Sequence, residues 1–136
     1  MLVQGISGDN SSLGYFGYAY FAENRASLKP VAIDGGNGCV TPTDETINNG
    51  TYAPLSRPLF IYVRKDVAGT AHVGEFIRYY LGAEGQQLAS EVGYIPFPAR
   101  IYGLALDRFK KGLTGTIFGG SNPQQGTVEA VLAANQ

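Results

Sequence analysis

Apolar positions along this chain follow two distinct patterns. Val73, Phe76, Ile77, Tyr80 and Leu81 recur at steps of three and one, which places them on one stripe of an α-helix, with Glu75, Arg78 and Glu84 elsewhere. Pro58-Leu59-Phe60-Ile61-Tyr62-Val63 is instead a continuous β-branched and aromatic run with a sharp polar edge at Arg64-Lys65-Asp66. That run predicts the clearest strand of the chain. Its near-continuous hydrophobicity predicts burial on both faces, as in a sheet covered by helices.

The remaining elements are marked out by turn and cap chemistry. Leu2 to Ser7 reads as the end of a helix and Gly8 to Ser12 as a loop. Leu13 to Phe16 reads as a short buried strand, and Tyr18 to Arg25 as a helix with Tyr18, Phe21 and Ala22 on one side. Leu28 to Ile33 predicts another short strand, its Pro30 suited to an edge or an early position. After the turn Gly35-Gly36-Asn37-Gly38, Thr41 or Thr43 can cap a short helix that Asn49-Gly50 ends. Pro42, Asp44 and Glu45 suit the first turn of that helix.

Further on, Gly82 and Gly85 are expected to break the 73–81 helix before a second one carrying Leu88 and Val92, which Gly93 stops. Tyr94 to Pro98 is expected to be extended, because each proline disfavours helix in the residue before it. A helix from about Arg100 to Lys110 can bury Ile101, Ala105 and Phe109, or Tyr102 and Leu106. Gly112 to Gly126 predicts a mobile loop, and Val128, Val131 and Leu132 a short terminal helix. Strands alternating with helices indicate the α/β class.

Composition narrows the function classes. The chain has 136 residues, enough for one domain with a core, and its 44% hydrophobic and 15% charged residues are those of a globular protein. A formal net charge of −1 gives no general attraction to nucleic acid or to an anionic membrane. Arg100, Arg108, Lys110 and Lys111 cluster, which a solvated helix face explains more simply than a nucleic-acid patch. Cys39 is the single cysteine, so no intrachain disulfide can form; with His72 the single histidine, a zinc site would need several gathered carboxylates. No apolar run approaches a membrane span. The first residues lack a basic start followed by an apolar stretch, so the chain as written is expected to stay in the cytoplasm.

Candidate chemistry is sparse. Gly5-Ile6-Ser7-Gly8 is one residue short of a nucleophile elbow, and its serine follows a helix where an elbow follows a strand. A Cys39–His72 dyad requires two single residues to meet, and ordinary placement of each is the simpler reading. Gly35 to Gly38 and Gly115 to Gly120 have no following Lys-Ser/Thr, so neither is a Walker loop. Tyr15, Phe16, Tyr18, Tyr20 and Phe21 crowd one junction; without accompanying acids or amides they read as core before they read as a stacking platform. No catalytic residue, metal ligand or cofactor is expected.

The stretch Leu13-Gly14-Tyr15-Phe16-Gly17-Tyr18-Ala19-Tyr20-Phe21-Ala22-Glu23-Asn24 is similar to the motif that follows the phosphate loop in PstS-type phosphate-binding proteins of bacterial ABC importers. Its form is that of the cyanobacterial SphX-like members. The resemblance continues in order through Cys39 to Thr43, Tyr52 to Phe60, Glu91 to Pro96 and Thr114 to Gly120. It implies the C-terminal part of a two-lobe type II periplasmic-binding-protein fold. Residues 1–54 would be a partial second lobe, 55–66 a hinge-crossing strand, 67–111 helices returning to the first lobe, and 112–136 a Gly-rich loop and tail. Ser56 and Arg57 become hinge candidates.

The family's phosphate contacts lie in an early Thr/Ser loop, an aspartate and an Arg…Ser-Gly-Thr segment at a helix N-terminus, where free N–H groups suit an anion. None of these is found here, the last falling just upstream of Met1, so no ligand residue is carried over. The resemblance therefore implies a truncated or mis-started solute-binding component that binds phosphate weakly or not at all alone. Its intact parent would be periplasmic, with inorganic phosphate and ABC permease subunits as partners. The alternatives are a structural module that pairs with another chain through exposed apolar faces, and a small hydrolase using Ser7 or Cys39 with His72.

Overall fold

The computed structural model describes residues 1–118 and 128–135. Helices dominate it: α1 (Leu2–Ser7), α2 (Tyr18–Glu23), α3 (Asp44–Asn48), α4 (Ala71–Leu81), α5 (Ala83–Glu91), α6 (Ala99–Lys110) and α7 (Val128–Ala134). The sheet among the described residues is one antiparallel hairpin, β1 (Ile33–Asp34) and β2 (Cys39–Val40), with Ile33 opposite Val40 and Asp34 opposite Cys39. Asp34 stabilises its turn, its Oδ1 accepting the N–H groups of Gly36 at 2.8 Å and Gly38 at 3.0 Å.

The core sits on the helices that follow residue 70. Helix α6 contacts both α4 and α7, and the buried apolar residues among those described are one from each: Ile77, Ile101 and Leu132. Ile77 is 2% exposed, the deepest of the three. The α4 stripe is covered only in part, however. Val73 and Leu81 are half-buried, while Phe76 and Tyr80 face solvent with their rings tilted together at 5.8 Å between centroids.

Local signals place most helix ends as the sequence predicts. Thr43 caps α3: its Oγ1 accepts the Thr46 N–H at 3.1 Å, and Thr46 Oγ1 accepts the Thr43 N–H at 2.8 Å. Gly93 ends the α5 segment with φ of +82°, a conformation that side chains with a Cβ rarely adopt. The break between α4 and α5 differs from expectation. It lies at Gly82 alone, and Gly85 sits inside the first turn of α5. A Cβ on Gly85 would run into the backbone carbonyl of Tyr80, so here glycine permits the close join between the helices.

Three strand expectations are corrected. Leu13 to Phe16 and Pro58 to Val63 form no ladder, and of Leu28 to Ile33 only Ile33 pairs. Leu13 is exposed, and so are Leu59, Phe60, Ile61 and Tyr62, where the sequence predicts burial on both faces. A helix bonds its backbone within itself, whereas a strand needs neighbouring strands. Among the described residues only the hairpin has such a neighbour close by along the chain. The Gly-rich loop is described as far as Phe118; the remainder of it, with Gly119 and Gly120 of the tail motif, lies outside the described residues. No helix of the described residues is long and apolar enough to cross a membrane.

Candidate functional site

Ser56 and Arg57 mark a change in how the backbone is held. The Ser56 Oγ donates to the Tyr52 carbonyl at 2.5 Å and the Ser56 N–H donates to the same oxygen at 3.3 Å, closing a turn over residues 52–56. That turn rests on the hairpin: a Cβ on Gly35 would fall 2.5 Å from the carbonyl oxygen of Ala53. Burial, and secondarily the charge of Tyr15, push the Tyr52 phenol above its ordinary pKa. Arg57 begins a different regime. It is exposed and makes no ion pair or hydrogen bond among the described residues. The two hinge candidates thus sit at the last residue of an anchored turn and the first of an open run.

The aromatic junction becomes a polar clasp between α2 and α3. Tyr18 donates its hydroxyl to Asp44 Oδ1 at 2.8 Å, and Arg25 donates to the Tyr18 oxygen at 3.0 Å. The Arg25 guanidinium also lies 5.9 Å and 5.6 Å from the ring centroids of Tyr18 and Phe21, close enough for a cation–π contact. Phe16 meets Tyr20 edge to face at 6.3 Å. Burial, then the hydrogen bond to Asp44, hold the Tyr18 phenol above its usual pKa, so it stays a donor. Sequence reasoning identified the junction but missed Asp44 and Arg25 as its partners; with Tyr18 and Asp44 26 positions apart, no spacing signal could have paired them.

The other candidates are not brought together. Ser7 ends α1 and donates its Oγ to the Gln4 carbonyl at 3.2 Å, a local bond with no base attached. The Cys39 thiol is exposed, and no hydrogen bond joins it to His72. The described residues contain no group of three or more His, Cys, Asp or Glu able to hold a metal ion. The basic cluster is dispersed into structural contacts. Arg100 pairs with Glu129 at 2.9 Å and Lys110 with Asp107 at 3.7 Å. Arg108 donates to the carbonyls of Asn135, Thr114 and Gly115 at 2.8, 3.1 and 3.2 Å, tying the end of α7 to the loop after α6.

Two shallow grooves among the described residues bear on the question. One, of about 300 Å³, lies between Glu45, Asn48 and Asn49 of α3, Pro98 and Ile101 around the start of α6, and Val128 and Glu129 of α7. Its two carboxylates repel an anion, and its nearest arginine is already paired with Glu129. The other, of about 180 Å³, is the clasp itself together with Ser90 and Gly93 to Pro96, where Asp44 lies 3.9 Å from the Arg25 guanidinium. Neither groove gathers the several unopposed donors with which an oxyanion is held.

Comparison with known proteins shows what the chain is similar to. No family model matches it. Protein SphX of Synechococcus elongatus is 43% identical over 135 residues, which is 98% of this chain and 40% of that protein. Protein SphX of Synechocystis is 44% identical over 97% of this chain and 39% of its own length. The phosphate-binding protein PstS of Staphylococcus epidermidis is 41% identical over 80% of this chain and 34% of its own. Among solved structures, a possible phosphate binding protein from Planctomyces limnophilus superposes with a TM-score of 0.69 at 47% identity, covering 83% of this chain and 40% of that one. The chain therefore spans about two-fifths of the length of these SphX relatives. Its helices and short hairpin superpose on part of that solved chain. With sequence and backbone agreeing over most of its residues, the chain is a homologue of part of the SphX and PstS phosphate-binding proteins, spanning up to about two-fifths of their length.

Proposed function

We propose that this chain is the supporting part of a solute-binding protein that delivers inorganic phosphate to the permease of an ABC importer. The observation that carries the reading is 43% identity to SphX over nearly the whole chain, with phosphate-binding PstS proteins matching most of it as well. The role is binding and not catalysis: selectivity comes from hydrogen bonds and charge in the intact protein, and transport energy from a separate ATPase. That protein works in the periplasm. Residues 1–54 belong to its second lobe, 55–66 cross between lobes with Ser56 and Arg57 at the hinge, 67–111 return to the first lobe, and 112–136 form the tail.

Binding by the chain alone is expected to be weak for a physical reason. A phosphate dianion is held by several converging N–H and O–H donors. Among the described residues Arg57 is exposed and stands apart from the two grooves, and the larger groove is acidic. Calorimetry of inorganic phosphate into the isolated chain is expected to give a Kd weaker than about 1 mM. Saturable binding in the micromolar range would overturn that. The function itself is tested by a chimera in which this chain replaces the matching part of Synechococcus SphX. The chimera should bind phosphate within about tenfold of a SphX control, a difference of about 1.4 kcal/mol. A folded chimera that is blind to phosphate while the control binds it sinks the reading.

A further inference from the structure

The sequence holds two Asn-Gly pairs, Asn37-Gly38 in the hairpin turn and Asn49-Gly50 after α3, and all four residues are exposed. In such a pair the glycine nitrogen can attack the asparagine side-chain carbonyl carbon, since no Cβ on the following residue stands in the way. The attack requires the asparagine side chain to swing until its Cγ lies against that nitrogen, so the freedom of the side chain governs the rate. The two nitrogens do not tell the sites apart. Gly38 N–H donates to Asp34 Oδ1 at 3.0 Å, and Gly50 N–H donates to the Ile47 carbonyl at 3.3 Å. The side chains do. Asn49 Oδ1 accepts the Thr51 N–H at 2.9 Å and the Thr51 hydroxyl at 2.6 Å, so turning its carboxamide breaks two bonds. The Asn37 carboxamide makes no hydrogen bond among the described residues. Its neighbours are glycines with φ of +110° and +96°, and a Cβ on either would meet nothing within 4 Å.

We propose that Asn37 is a self-modification site, converted through a succinimide with Gly38 to aspartate and isoaspartate ahead of Asn49. The Gly38 nitrogen forms a bond to Asn37 Cγ, and the bond from Cγ to Nδ2 breaks. Nδ2 leaves as ammonia, carrying the proton that Gly38 gives up. Water then opens the ring at either carbonyl, and nothing is oxidised or reduced. Opening at one carbonyl gives aspartate; opening at the other gives isoaspartate, whose main chain runs through Cγ. Either product adds a negative charge to the turn that Asp34 closes. Isoaspartate also lengthens the backbone by an atom between Gly36 and Gly38, whose N–H groups one Asp34 oxygen holds together, so the turn loosens. The proposal rests on the hairpin and is independent of phosphate.

The test is to age the full chain in mildly alkaline buffer and follow each asparagine by peptide mass spectrometry, with isoaspartate read by a methyltransferase specific for it. Asn37 should convert about tenfold faster than Asn49, a barrier difference of about 1.4 kcal/mol. Its products should include isoaspartate, the mark of ring opening. In urea the two rates should meet, because unfolding frees the Asn49 side chain. Thr51→Val removes the hydroxyl that donates to Asn49 and should bring the Asn49 rate up about threefold in the folded chain, with helicity checked by circular dichroism. Asn37→Gln should abolish the early-appearing acidic species on ion exchange, since the ring it would form is one atom larger. Three results would overturn the proposal: Asn49 converting as fast as Asn37 in the folded chain, conversion of Asn37 to aspartate alone, or a rate difference that persists unchanged in urea.

Discussion

Helix α4 and the run 57–63 are both rich in apolar residues and lie within one chain, yet they end in opposite environments. Helix α4 satisfies every interior backbone group within itself, so it needs a neighbour only for its side chains, and α6 supplies one around Ile77. The 57–63 run needs neighbours for backbone and side chains together, and the described residues supply no strand for it. The contrast explains why the buried residues Ile77, Ile101 and Leu132 all belong to helices. It also explains why so much of the aromatic and aliphatic surface elsewhere stays open. Helical parts of a larger fold can assemble from contacts close in sequence, whereas its sheet requires contacts that are far apart.

The largest expected effect tests this contrast directly. Ile77→Ala removes the deepest core side chain and should destabilise the chain by about 2–3 kcal/mol, the lower part of the range for such truncations because this core is small. Ile61→Ala in the open run should change stability by less than about 0.5 kcal/mol. Urea midpoints measured side by side would break the comparison if the two variants shifted equally.

A second substitution probes the join between the helical cluster and the earlier segments. Gly93 has φ of +82°, and a Cβ there would lie 2.9 Å from the Ala19 Cβ of α2. Gly93→Ala should therefore cost about 1–2 kcal/mol, from backbone strain and the displaced contact together. Near-ultraviolet circular dichroism of the tyrosines should change alongside the thermal midpoint. An unchanged midpoint would show that α2 does not rest on the end of α5.

The smallest effect sharpens the comparison by asking whether the clasp holds α2 to α3 at all. The Tyr18 phenol has a folded-state pKa above its ordinary value of 10.0. Its contribution is present in full below pH 10 and is lost as pH rises from there through the raised folded value, because the unfolded state gives up the proton first. Tyr18→Phe should lower stability by about 0.5–1 kcal/mol at neutral pH, and should remove this part of the alkaline decline. Midpoints compared at pH 8 and pH 10.5 would decide it; parallel declines in both proteins would exclude Tyr18 as the titrating group.

Much of this architecture is legible residue by residue. The 3.6-residue period predicts α4, Thr43 and Gly93 mark a helix start and a helix stop, and Ile101 is one of the core positions expected for α6. The misses have a common cause. Gly85 was expected to break a helix because its sequence does not reveal that the Tyr80 carbonyl must pass close beside it. The basic residues near position 108 read as a solvated face, yet Arg108 binds carbonyls as far away as Asn135. Ser56 and Arg57 could be named from a motif, but the bond from Ser56 to Tyr52 and the lack of a partner for Arg57 among the described residues could not.

The sequence by itself determined the helices, the Thr43 cap of α3 and the similarity to phosphate-binding proteins, since each is written in spacing or in ordered short motifs. Only the tertiary structure decided that Tyr18, Arg25 and Asp44 form one clasp, and that the most strand-like run of the chain stands open. The physical reason is range. Helix and turn propensities act over a few residues, while strand pairing and side-chain clasps depend on which distant segments are present to be met.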